Sequence, residues 1–95
     1  KGVDPRVVAL LAKANRWFEA LKSGTHGSIV SIAEEHDVAR ADVTRIVYLA
    51  FLAPDIVVRL VGGERPARFS IRRLMELAPL PLAWADQRRA LGFDT

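Results

Sequence analysis

Arg40, Ala41, Thr44, Arg45 and Tyr48 fall at spacings that place them on one side of a helix. The chemistry open to them is hydrogen bonding and contact. An arginine guanidinium carries a rigid fork of donors that fits the edge of guanine or two oxygens of a phosphate. Thr44 could touch a thymine methyl or a phosphate. Ala41 and Tyr48 complete the outward surface. Downstream, "ERPARFSIRR" sets Arg65, Arg68, Arg72 and Arg73 within nine residues. These could form a phosphate clamp beside the first group, or simply the solvated start of a helix. Arg72 and Arg73 lie near that helix's N-terminus, where its dipole disfavours cations, which hints at an external anion.

Such side chains are useful only if two helices hold them outward. The stretch "SIAEEHDVARADVTRIVYLAFL" has the register for this. A DNA-reading helix-turn-helix needs a small residue where its helices cross, and Ala33 is one. Its turn commonly has glycine four residues later, because the backbone there is left-handed. Asp37 stands at that position and tolerates such geometry better than most residues. Val38, Val43 and Ile46 then point inward, leaving the five residues above facing a major groove. Asp42 suits the positive end of the helix dipole. Ala39 stands where a serine or threonine would cap the reading helix. A plain pair of core helices with solvated charges satisfies the same spacing.

The surrounding chain reads as all-α, with five or six short helices around this central pair. Asp4 and Pro5 open the first helix as N-cap and first residue, with Val3 and Val8 as a hydrophobic staple. Val7, Leu11, Ala14, Phe18 and Leu21 form its apolar stripe, and Gly24 and Gly27 end it. Ser28, or Ser31 with Glu34, caps the second helix. The third runs from Arg40 to about Ala53. "PDIVVRLVGG" is a fourth, Ser70 caps a fifth with Ile71, Leu74, Met75 and Ala78 in the core, and "PLPL" stops it. Trp84 to Leu91 is the sixth, closed by Gly92, and its Asp86, Arg88 and Arg89 read as a solvated face. Trp17 and Trp84 are expected to pack between helices.

The chain has 95 residues, one domain's worth, and 51 % are apolar. With no cysteine there is no disulfide, no thiolate zinc site and no thiol nucleophile. His26 and His36 are ten residues apart in sequence and too few for a metal centre. "GTHG" lacks the lysine of a phosphate-binding loop. No apolar run is long enough to span a bilayer, so no membrane partner is expected. No paired carboxylates or histidine–nucleophile pair stand at helical spacing, which argues against an enzyme. The net charge of +3 comes from 14 Lys and Arg against 11 Asp and Glu, and arginine dominates the cations. A GC-rich coding sequence would also produce that bias.

The residues "SIVSIAEEHDVARADVTRIVYLAFLAPDIVVRLVGG" resemble the helix-turn-helix core of the ParB/KorB partition proteins. Together with "PLPLAWADQRRALGF", they more specifically resemble the C-terminal region of serine site-specific recombinases of the resolvase/invertase family. The resemblance covers Val7 to Phe93, and departs from the usual pattern at Asp37 and Ala39. It implies a DNA-binding domain, residues 1–95, that follows a catalytic domain and positions it on double-stranded DNA, in a homodimer or a recombinase assembly. It matches Arg40, Thr44 and Arg45 to the reading positions. Since the chain opens at Lys1, it is expected to be a piece of a longer, cytoplasmic protein, needing no cofactor or metal. The alternative is a helical interaction or dimerisation module in which "IVYLAFLAP" faces a partner.

Overall fold

In the computed structural model, residues 2–24, 27–67, 69–77 and 80–93 are described. They form α1 (Pro5–Ser23), α2 (Ile29–His36), α3 (Arg40–Tyr48), a 3-10 turn (Leu49–Phe51), α4 (Pro54–Val61), α5 (Ile71–Glu76) and α6 (Trp84–Leu91). The fold is all-α, with no strand among the described residues. The long α1 packs against α3, the 3-10 turn and α4, while α2 packs on α3.

The helix starts follow from local chemistry. The Asp4 side chain accepts from the Arg6 N–H, and Pro5 supplies a first residue that needs no donor. Ser28 and Ser31 cap α2 reciprocally, each side chain bonding the other's backbone. Ser70 accepts from the Arg73 N–H at the start of α5. Ala39 makes no side-chain cap at α3. Val3 is 51 % exposed, so the expected staple over α1 is open at that end.

Among the described residues, three helices end in the same way. In α4 and α6, Gly63 and Gly92 adopt φ of 93° and 86°, and the following N–H returns to the carbonyl five residues back: Glu64 to Arg59 and Phe93 to Arg88. The third case is α2, where Asp37 takes φ 55°, ψ 50° and the Val38 N–H reaches the Ala33 carbonyl at 3.0 Å. Asp37 is the one non-glycine residue with positive φ among the described residues. The turn between α2 and α3 is thus a glycine-type turn made by an aspartate.

The core is continuous. Val7, Leu11, Ala14 and Trp17 of α1 meet Ile32 and Ala33 of α2 and Val43, Ile46 and Val47 of α3, and the core extends through Ile56, Leu60, Leu74 and Leu91 to Phe93. Trp17 is more deeply buried than Phe18, which with Leu21 flanks the core. Trp84, expected to pack between helices, is 50 % exposed. It shares a stripe with Gln87 and Leu91 but lies one turn before the core begins. The third helix is shorter than its sequence suggests. Pro54 disfavours the helical region for Ala53, which with Leu52 is extended, and the segment before them tightens into the 3-10 turn.

That corner is held by one fully buried polar residue. The Gln87 carboxamide oxygen accepts from the Ala53 N–H at 2.8 Å, and its nitrogen donates to the carbonyls of Pro81 at 2.8 Å and Phe51 at 3.1 Å. Three backbone groups from two segments are satisfied by one side chain. Outside it, Arg88 pairs with Asp55 at 2.8 Å, and the Arg59 guanidinium lies 4.6 Å from the Phe93 ring centroid. At the other end, Arg65 reaches Asp4 at 3.2 Å across 61 residues of sequence.

Three outcomes are expected. Gln87→Leu leaves buried backbone groups unpaired and should cost about 2–4 kcal/mol in chemical denaturation. Asp37→Gly should stabilise by about 0.5–1 kcal/mol, since glycine enters the left-handed region without a Cβ penalty, and Asp37→Val should destabilise by more than that. The third concerns acid. Hydrogen bonds from the Arg6 side chain and N–H, and the charges of Arg6 and Arg65, hold the Asp4 carboxyl below its ordinary range, with burial opposing them. The unfolded chain therefore takes up a proton first on acidification. This contribution is complete at neutral pH and is lost as pH falls from about 4 through the folded value. Denaturation midpoints of Asp4→Asn should fall less steeply with acid than those of the wild type.

Candidate nucleic-acid interface

The outward face of α3 follows from its inward one. Val43, Ile46 and Val47 are buried against α1 and α2, and this fixes the helix's rotation. Arg40, Ala41, Thr44 and Arg45 are then exposed, and Tyr48 is half-buried at the end of the row. All five residues singled out from spacing lie on one accessible helix face.

Among the described residues, three clefts border this face. Val30, Glu34, Asp37, Val38 and Arg40 line one of about 420 Å³ between α2 and the start of α3. Asp42, Arg45, Arg72, Met75 and Glu76 line another of about 290 Å³ toward α5. A third, of about 220 Å³, is bounded by Ile29, Thr44, Val47, Tyr48 and Phe51.

The charged groups are already partnered in part. Arg45 bonds Asp42 at 3.1 Å, one turn earlier, and Arg72 pairs with Glu76 at 3.3 Å. The Arg45 pair is about half exposed and the Arg72 side chain is 89 % exposed. Pairs this open are worth about 0–1 kcal/mol, so an incoming phosphate can displace the carboxylates cheaply. Among the described residues, the Arg40 side chain makes no ion pair. Thr44 donates its hydroxyl back to the Arg40 carbonyl at 3.1 Å. Tyr48 meets Phe51 edge-on, with ring centroids 5.9 Å apart, and Phe51 in turn meets Phe18 at 5.1 Å.

The second arginine group is divided by the fold. Arg72 joins Arg45 at one cleft. Arg73 turns away and makes a long bond to the Ala90 carbonyl on α6. Arg65 is committed to Asp4. Arg68 lies outside the described residues. The arginine cluster seen in sequence thus contributes one identified side chain, Arg72, beside α3. His36 lies tilted against Trp17, with ring centroids 5.2 Å apart, while His26 lies outside the described residues. Among the described residues, no group of three or more His, Asp or Glu could hold a metal ion, and no helix is long and apolar enough to cross a membrane.

Sequence reasoning did not single out Gln87, which fixes the chain just beyond α3. Its only signal is that it shares the spacing of Trp84 and Leu91. The segment "IVYLAFLAP", which the alternative reading turns toward a partner, packs mostly inward: Ile46, Val47, Leu49, Leu52 and Ala53 are buried and Phe51 is 38 % exposed. No protein-family model matches this chain, and neither the curated proteins nor the solved structures give a significant match to it.

Proposed function

We propose that this chain is a double-stranded DNA-binding domain of helix-turn-helix type. In this reading α3 enters the major groove and the domain positions a larger site-specific recombinase on its target. One observation carries the reading. The left-handed turn at Asp37, the half-buried Val38 and the buried Val43 and Ile46 leave a helix face on which Arg40, Thr44 and Arg45 are all solvent-facing. Arg40 and Arg45 have the donors that bond guanine or phosphate. Arg72, at the cleft beside Arg45, suits a backbone phosphate. The link to a recombinase rests on the sequence resemblance.

The test is duplex binding by fluorescence anisotropy at several salt concentrations. Neutralising about 4–6 phosphates gives a log–log slope of roughly −4 to −5. Arg45→Ala should cost about 1–3 kcal/mol and relax discrimination at one base pair if it reads an edge. Arg72→Ala should weaken all duplexes alike and reduce the slope by about 1. Asp42→Asn, which frees Arg45 and removes a carboxylate from the cleft, should tighten binding. Absence of binding at low salt would overturn the proposal.

A further inference from the structure

The groove at the end of the reading face has a chemistry unlike the rest of it. Its walls are Ile29, Val47, Tyr48 and Phe51, and Thr44 forms its edge. Thr44 is the residue whose mode of contact is ambiguous from sequence, because a threonine has both a hydroxyl and a methyl. Here the hydroxyl proton is spent on the Arg40 carbonyl, at 3.1 Å. Phosphate oxygens and the major-groove edge of guanine offer only acceptors, and a hydroxyl without a free proton has nothing to give them. Thr44 retains its methyl, and the residue borders an apolar groove.

Building on the DNA-binding reading above, we propose that Thr44 and the groove formed with Ile29, Val47, Tyr48 and Phe51 recognise the 5-methyl group of a thymine in the major groove. Thymine is the standard base that presents an apolar group there. Arg40 and Arg45, one turn before and one residue after Thr44, supply the polar contacts on either side. The domain would then favour a site in which a thymine lies next to a base pair or phosphate held by arginine. Phe51, 38 % exposed, is a wall of the groove, and its ring meets Phe18 and Tyr48 edge-on.

The experiment uses duplexes enriched by this chain from a random pool, with each thymine replaced in turn by deoxyuridine, which lacks only the methyl. One position should bind about 3–10-fold more weakly as deoxyuridine. A 5-methylcytosine at that position should bind more tightly than cytosine, tracing the gain to the methyl. Thr44→Val should keep the thymine preference, and Thr44→Ser should bind DNA but lose it. Equal affinity for thymine and deoxyuridine at every position overturns this proposal and leaves DNA binding standing. A preference that survives in Thr44→Ser also overturns it, because the methyl is then read elsewhere. Failure to bind any duplex at low salt overturns the DNA-binding reading itself.

Discussion

The arrangement of α2 and α3 depends on one backbone conformation. Asp37 is left-handed, the Val38 N–H returns to Ala33, and the chain turns inward at Val38 before α3 begins. A residue confined to the right-handed or extended regions would send the chain elsewhere, and Val43 and Ile46 would lose their places against α1 and α2. The rotation of α3, and with it the identity of every outward residue, follows from that turn. Aspartate accepts this conformation at moderate cost because its short polar side chain suits local bonding. Ala39 adds nothing by way of a cap, so α3 is held mainly by the burial of its apolar stripe.

The far end of α3 is constrained differently. Pro54 forces an extended approach, and the helix tightens into a 3-10 turn before it. Tight irregular backbone in a core leaves donors and acceptors unpaired unless something reaches them. Gln87 reaches two such groups, the Phe51 carbonyl and the Ala53 N–H, from α6 more than thirty residues away, and also bonds the Pro81 carbonyl six residues before it. A polar residue buried this fully is stabilising only because both ends of its carboxamide are satisfied. It also holds the chain at Phe51, the wall of the apolar groove. Ion pairs on the outside of the molecule, such as Arg88 with Asp55, are open to water and contribute less.

Much of this was legible in the sequence, and the limits have physical causes. The caps at Asp4, Ser28 and Ser70 are local chemistry, and local chemistry reads well from a string of residues. The helix-turn-helix register counted from Ala33 through Val38, Val43 and Ile46 marked the exposed face of α3 in advance. The 3-10 turn was missed because apolar spacing continues smoothly through Leu49 to Leu52, and only the proline's restriction on its predecessor ends the helix. Gln87 was missed because a glutamine on a short helix reads as surface until its distant backbone partners are known. The arginines after Glu64 show the same limit. Sequence groups Arg65, Arg72 and Arg73 together, yet their partners are Asp4, Glu76 and the Ala90 carbonyl, and two of these lie far along the chain.

The central claim is that the outward face of α3 is where this chain meets duplex DNA. Amide chemical-shift mapping in a titration with a short duplex tests it most directly, because it locates the contact whatever the affinity. The account predicts shifts concentrated at residues 40–48, spreading to Arg72 at the α5 cleft and to Ile29 and Phe51 at the apolar groove. Shifts confined to α4 and α6, around the exposed Val58 and Trp84, with residues 40–48 unmoved, would contradict it.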